Sequence, residues 1–193
     1  IIITSDHGEE FNDHEGWLHG RNLYEESIRV PLIIKFPNSE FKGKKLTANC
    51  RLIDIMPTIL EIASVKYDKK NIEGKSLMNM IMGKEKKSRS FISDLAHRDV
   101  PDPCPALVAS NNGDLKVIIE KSKESIKSVE VYDLLNDPLE KSDIFRDHRK
   151  WAREFIKKIE AYYQDKKKIL RKIGFIKMDK VQEERLKALG YLH

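Results

Sequence analysis

The sequence predicts an α/β fold: a mostly parallel sheet with flanking helices, then a small antiparallel sheet and C-terminal helices. Three observations carry this. Two continuous apolar runs, residues 1–4 and 30–36, have the pattern of parallel strands covered on both faces. Four short strand-like runs between residues 90 and 134 are broken by turn residues. Two stretches near the C-terminus repeat apolar residues at helical spacing.

The elements follow in order. Residues 1–4 end a buried strand, and residues 30–36 form a second, closed by Pro37-Asn38-Ser39. The roughly 25 residues between them are rich in Gly, Asn, His and acids, and so long an irregular connection inside a compact domain is usually functional. Gly43-Lys44-Lys45 reads as a hairpin tip. Residues 52–65 read as a helix with Pro57 in its first turn, where a missing N–H costs nothing. A short helix begins at residues 74–77 and fades in the charged stretch 83–87. Strands are expected at 90–94, 106–110, 115–120 and 128–134, with a turn at 111–114, and Asn136-Asp137-Pro138 ends the sheet. Trp151, Phe155, Ile159 and Tyr162 or Tyr163 mark a long amphipathic helix over 147–172, with Lys166 to Lys168 on its solvated face. A last helix over 182–189 has Gly190 at its C-cap. The expected division is therefore 1–85 for the α/β core, 86–146 for the antiparallel subdomain and 147–193 for the terminal helices.

Charge is unevenly spread. The net charge is +5, but residues 141–193 carry 16 Lys and Arg against 8 Asp and Glu. The first fifteen residues hold five acids (Asp6, Glu9, Glu10, Asp13, Glu15) and no Lys or Arg. A cation site at the front and a basic helical tail fit this better than a nucleic-acid surface. No apolar run approaches the ~20 residues of a membrane helix. Cys50 and Cys104 sit in unrelated contexts and read as free thiols of a reducing compartment, which favours a cytoplasmic location.

The chemistry-bearing residues cluster at the start, in Ser5-Asp6-His7-Gly8-Glu9 and Gly16-Trp17-Leu18-His19-Gly20. Adjacent Asp6 and His7 can reach one ion only if the chain leaves strand geometry, which Gly8 makes easy. A carboxylate with an imidazole suits Mn, Zn, Fe or Mg better than Ca²⁺, which prefers oxygen throughout. On these residues alone, a metal pair and a helix cap beside a surface histidine both stand open. His19 can donate to an anionic substrate oxygen or protonate a leaving alkoxide, and His14 reads as a loop residue. Other motifs fail. His14 to His19 is one residue too long for a zincin helix, residue 69 is Lys where a P-loop needs Gly, and Ser5 lacks a nucleophile elbow.

Several segments together resemble the C-terminal half of the sulfatase family, in the alkaline phosphatase superfamily. They are Ile3 to Glu9, Gly16 to Gly20, Leu23-Tyr24-Glu25-Glu26, Arg29 to Ile34, Asp54-Ile55-Met56-Pro57-Thr58, Gly74-Lys75-Ser76-Leu77, Val131 to Glu140, and Leu186 to Leu192. They stand in the family's order along nearly the whole chain. The resemblance implies an alkaline-phosphatase-like core and a metal-dependent hydrolase of sulfate or phosphate esters. Asp6 and His7 would be ligands of one divalent ion, Ca or Mn ahead of Zn or Mg. Many sulfatases have Asp-Asn there and bind Ca²⁺, while the Asp-His form is found in phosphonate and phosphodiester hydrolases. His19 would sit where the family places a substrate-binding Lys or His. The family's nucleophile is a formylglycine made from Cys or Ser in Cys/Ser-x-Pro-x-Arg. Neither Cys50-Arg51-Leu52 nor Cys104-Pro105-Ala106 fits that motif. The nucleophile and the remaining ligands are expected upstream of Ile1, so the chain alone is expected to be inactive. Phosphoethanolamine-type transferases share Ser-Asp-His-Gly-Glu, but the Arg-Val-Pro strand and the Tyr-Asp-Leu segment argue against them. A non-catalytic member with a basic docking helix is the third reading.

Overall fold

Residues 2–4 and 32–34 form strands, but they run antiparallel. In a computed structural model describing residues 1–95, 107–111, 113–121, 125–173 and 179–188, β1 (Ile2–Thr4) pairs with β4 (Leu32–Ile34). Ile2 lies opposite Ile34, Ile3 opposite Ile33 and Thr4 opposite Leu32. The expectation of parallel neighbours fails here because an apolar run reports burial, not direction. Direction is set by the connection, which returns Lys35 N to donate to Ile1 O at 2.8 Å. All strand pairs among the described residues are antiparallel. Leu32 and Ile34 pack on a core of Phe36, Leu77, Met80 and Ile81, while Ile3 and Ile33 stay 56% and 59% exposed on the opposite face.

The connection itself carries a two-residue ribbon, β2 (Glu10–Phe11) with β3 (Trp17–Leu18), and a single helical turn, α1 (Glu25–Ile28). Residues 35–51 form no strand, so Gly43, at φ 74°, makes a turn without a hairpin around it.

A 3-10 turn, Leu52–Asp54, leads into α2 (Ile55–Ile62), and Pro57 falls early enough to leave no intrahelical bond unmade. Thr58 Oγ1 donates to Asp54 O at 2.6 Å and accepts from Leu77 N at 2.9 Å, which docks the 74–77 turn on the helix. A Cβ at Gly74 would run into the Ile53 carbonyl oxygen, so only glycine permits this approach. The chain then forms α3 (Met78–Ile81).

The small antiparallel sheet is as expected: β5 (Ile92–Leu95), β6 (Leu107–Asn111), β7 (Leu115–Lys121) and β8 (Ile126–Asp133), in that spatial order. Ala109, Ile118 and Tyr132 share a core with Leu23, so this sheet packs on the loop between β1 and β4. Val108, Val117, Ile119 and Val131 are buried on its other face. Cover on both faces explains why β6 and β7 read as continuous rather than alternating apolar runs.

The helix α4 (Arg149–Ile173) buries Ala152, Phe155 and Ile159, with Trp151 stacked on Phe155 at 4.8 Å; α5 (Lys180–Ala188) follows. The chain forms two compact units, 1–155 and 156–193. Among the described residues no helix is long and apolar enough to cross a membrane. Cys50 is exposed and unbridged. Cys104, the middle of the 111–114 turn, the side chains of Lys166 to Lys168 and the Gly190-Tyr191-Leu192 ending lie outside the described residues.

Candidate active site

The turn that follows β1 brings Asp6 and His7 to one side of the chain. Ser5 Oγ donates to His7 O at 2.7 Å, and His7 N donates to Asp6 Oδ1 at 3.1 Å, which folds the strand end back on itself. His7 Nδ1 lies 2.7 Å from Gly8 O, a pure acceptor, so Nδ1 carries a proton and Nε2 is the basic nitrogen of the neutral ring. That Nε2 is 3.8 Å from Asp6 Oδ1, and both side chains are open to solvent.

Gly8 then presses against α1. Its N–H donates to Ser27 O at 2.8 Å, and a Cβ there would strike the Glu26 carbonyl oxygen. This hydrogen bond and the close approach tie the turn to the helix. This close approach is why the residue after Asp-His is Gly.

His19 comes back to the same turn. Its ring lies 4.1 Å, centroid to centroid, from that of His7. Glu9 holds it: His19 Nδ1 stands 3.1 and 3.3 Å from the two carboxylate oxygens. A carboxylate only accepts, so Nδ1 is the protonated nitrogen. Leu18, immediately before, sits at φ 71°, a left-handed conformation that is costly for a branched side chain and common at functional sites.

Buried Glu10 organises the ribbon between these residues. Its carboxylate accepts from His14 N at 3.0 Å, Gly16 N at 2.9 Å and Asn22 Nδ2 at 2.5 Å. His14 is more than a loop residue. It stacks on Tyr24 at 3.7 Å and bridges Glu26 Oε1 (2.7 Å) to Glu140 O (3.0 Å). Tyr24 and Tyr132 both donate to Glu130 Oε2 at 2.9 Å. Burial, together with the charge of Glu130, pushes the Tyr24 hydroxyl up to about 12. Burial likewise raises the Glu140 carboxyl, against the pull of Lys116.

The structure therefore brings together the three residues singled out in the sequence, Asp6, His7 and His19, and adds Glu9. Sequence reasoning counted Glu9 only as charge, because its pairing across ten residues depends on the ribbon. Among the described residues no three His, Cys, Asp or Glu side chains converge as a complete metal site. Asp6 Oδ1 and His7 Nε2 stand 3.8 Å apart, a carboxylate and an imidazole of the kinds that divalent transition metals take, with a small adjustment needed for both to reach one ion.

Residues 13–168 match the family model described as N-sulphoglucosamine sulphohydrolase, C-terminal. The chain is 31% identical over 149 residues to an N-acetylglucosamine-6-O-sulfatase of Bacteroides thetaiotaomicron, covering 75% of this chain and 26% of that protein. It is 34% identical over 116 residues to the human N-acetylglucosamine-6-sulfatase, covering 55% of this chain and 20% of that protein. A solved structure in complex with its substrate, D-glucosamine-2-N,6-O-disulfate, superposes with a TM-score of 0.62 at 26% identity, over 85% of this chain and 34% of that one. The chain thus spans about a quarter or less of these curated relatives.

Proposed function

The chain belongs to the sulfatase family, and on that premise we propose that it supplies the metal-ligand turn and a substrate-binding histidine of a sulfate-ester hydrolase acting on sulfated glucosamine. The observation that carries this is the convergence of Asp6, His7 and the Glu9-held His19 on one exposed turn. The names of the relatives support the substrate class, a glucosamine bearing sulfate.

Asp6 and His7 would hold one divalent cation, Ca or Mn ahead of Zn or Mg. When bound, such an ion supplies Lewis-acid stabilisation of charge on the sulfate oxygens and on the nucleophile. The other ligands and a formylglycine nucleophile come from sequence outside these 193 residues, so the isolated chain does not turn over. Glu9 fixes the His19 ring and its Nδ1 proton, and Nε2 is then the nitrogen that reaches the ester. As an imidazolium, with the Glu9 carboxylate balancing its charge, His19 donates its Nε2–H to the developing negative charge or gives that proton to the leaving alkoxide.

The test is substrate preference of the full-length protein that carries this chain. Release of sulfate from D-glucosamine 6-sulfate, stopped by a chelator and restored by Ca²⁺ or Mn²⁺, is expected. Cleavage of a phosphate diester or phosphonate ester with no sulfate release would overturn the reading in favour of a sister activity.

A further inference from the structure

Lys116 and Glu140 form an ion pair that is fully buried, Nζ to Oε1 at 2.8 Å without hydrogen-bond alignment. They lie more than ninety residues beyond the Asp6–His19 segment. A buried ion pair adds little net stability over an apolar replacement of the same shape, so stability alone does not explain this one. Its contacts point elsewhere. Glu140 Oε2 accepts from Glu25 N at 2.6 Å, at the first residue of α1. Lys116 Nζ donates to Glu25 Oε1 at 3.0 Å. The Glu140 carbonyl meets His14 Nε2 at 3.0 Å, and His14 Nδ1 meets Glu26 at 2.7 Å.

Glu140 itself is held at φ 54°, in the left-handed region, in a turn that gives both its carboxylate and its carbonyl to this loop. Three contacts from the pair, the third passed on by His14 to Glu26, thus fix α1 and the ribbon beside it. From α1 the path to the site is short: Ser27 O accepts from Gly8 N, and Gly8 follows His7. Gly8 lies so close to the Glu26 carbonyl that a Cβ would not fit, so the turn and α1 are in direct contact.

We propose that the Lys116–Glu140 pair, which joins β7 to the turn after β8, is a positioning device that fixes the orientation of the Asp6–His7 turn toward its cation. The proposal rests on the reading of Asp6 and His7 as metal ligands. Outer contacts that orient ligands typically alter metal affinity by about 10- to 100-fold, and this pair acts through backbone at the lower end of that range.

The test is Mn²⁺ titration of the full-length protein, with melting temperature measured in parallel. Glu140→Ala and Lys116→Met are each expected to weaken Mn²⁺ binding by about 10-fold. Glu140→Gln, which keeps the acceptor for Glu25 N but loses the ion pair, is expected to recover only part of the loss. Ile119→Ala, buried on the other face of the same sheet, is expected to lower the melting temperature while leaving Mn²⁺ affinity within about twofold of wild type. If Glu140→Ala does not fold, Lys116→Met decides. Wild-type affinity in either folded variant overturns the positioning role. So does an equal loss of affinity in Ile119→Ala at the same drop in melting temperature. Binding that survives Asp6→Ala as well overturns the metal reading itself, and the two failures are thereby told apart.

Discussion

His19→Ala in the full-length protein is expected to lower kcat by about 10²- to 10³-fold, the range for loss of a positioned acid or a charge-stabilising donor. Metal content should stay at the wild-type level, because His19 touches the His7 ring without being one of the two ligands assigned here. Glu9→Gln removes the charge but not the size of the group that holds His19 Nδ1 at 3.1 Å. It is expected to lower kcat about 10-fold, since the ring keeps a weaker acceptor and loses its fixed orientation. Steady-state kinetics with D-glucosamine 6-sulfate separates the roles. A change in KM alone would make His19 a binding residue with no part in the chemical step, and an unchanged kcat/KM would remove it from the site.

Arg89→Met is expected to cost about 1–3 kcal/mol of stability, the range for leaving buried polar groups short of a partner, since Arg51 still pairs Asp54. One guanidinium joins three segments. Nη1 is 3.0 Å from Asp54 Oδ2, whose side chain is fully buried, Nε is 3.0 Å from Glu85 Oε1, and Nη2 donates to Ser76 O at 2.9 Å. Nη1 also donates to Lys75 O. Removing it leaves Asp54 with Arg51 and the Lys75 N–H, and leaves the Lys75 and Ser76 carbonyls and Glu85 without the guanidinium.

The same clasp sets a pH dependence. Burial pulls the Asp54 carboxyl up, but hydrogen bonds from Arg51, Lys75 N and Arg89 outweigh it and hold it below the usual carboxylate range. Hydrogen bonds from Arg89 and Lys75 bring Glu85 down to about 2. Folded values below unfolded ones mean stability that is fully present above the ordinary carboxylate range and lost as pH falls toward 2. Urea unfolding at pH 7 and pH 3 should show wild type losing much of its advantage over Arg89→Met in acid. A difference below about 1 kcal/mol at pH 7 would show that the clasp is replaceable.

The sequence made the site more legible than the sheet around it. Asp6, His7, Gly8 and His19 stand within fourteen residues, and their spacing alone suggested a bend, which Ser5 and Gly8 make. Strand positions were also readable, because β-branched runs and turn residues are local signals. Strand direction was not: Ile2 to Thr4 and Leu32 to Ile34 look alike whichever way they pair, and a 27-residue connection decides. The supporting contacts were invisible for the same reason. Lys116 and Glu140 each look like ordinary surface charges in sequence, and only the packing of β7 and the 133–140 turn on α1 shows them buried. His14, read as a loop residue, became a bridge because Tyr24, Glu26 and Glu140 close around it.

The most direct test of the central claim is divalent metal content of the purified full-length protein, measured for wild type and for the Asp6→Ala/His7→Ala double variant. One equivalent of Ca or Mn in wild type, falling to under about a tenth in the folded double variant with sulfate release lost alongside, is the result expected if this turn is half of a metal site. A double variant that keeps its full equivalent of metal and its turnover would contradict it.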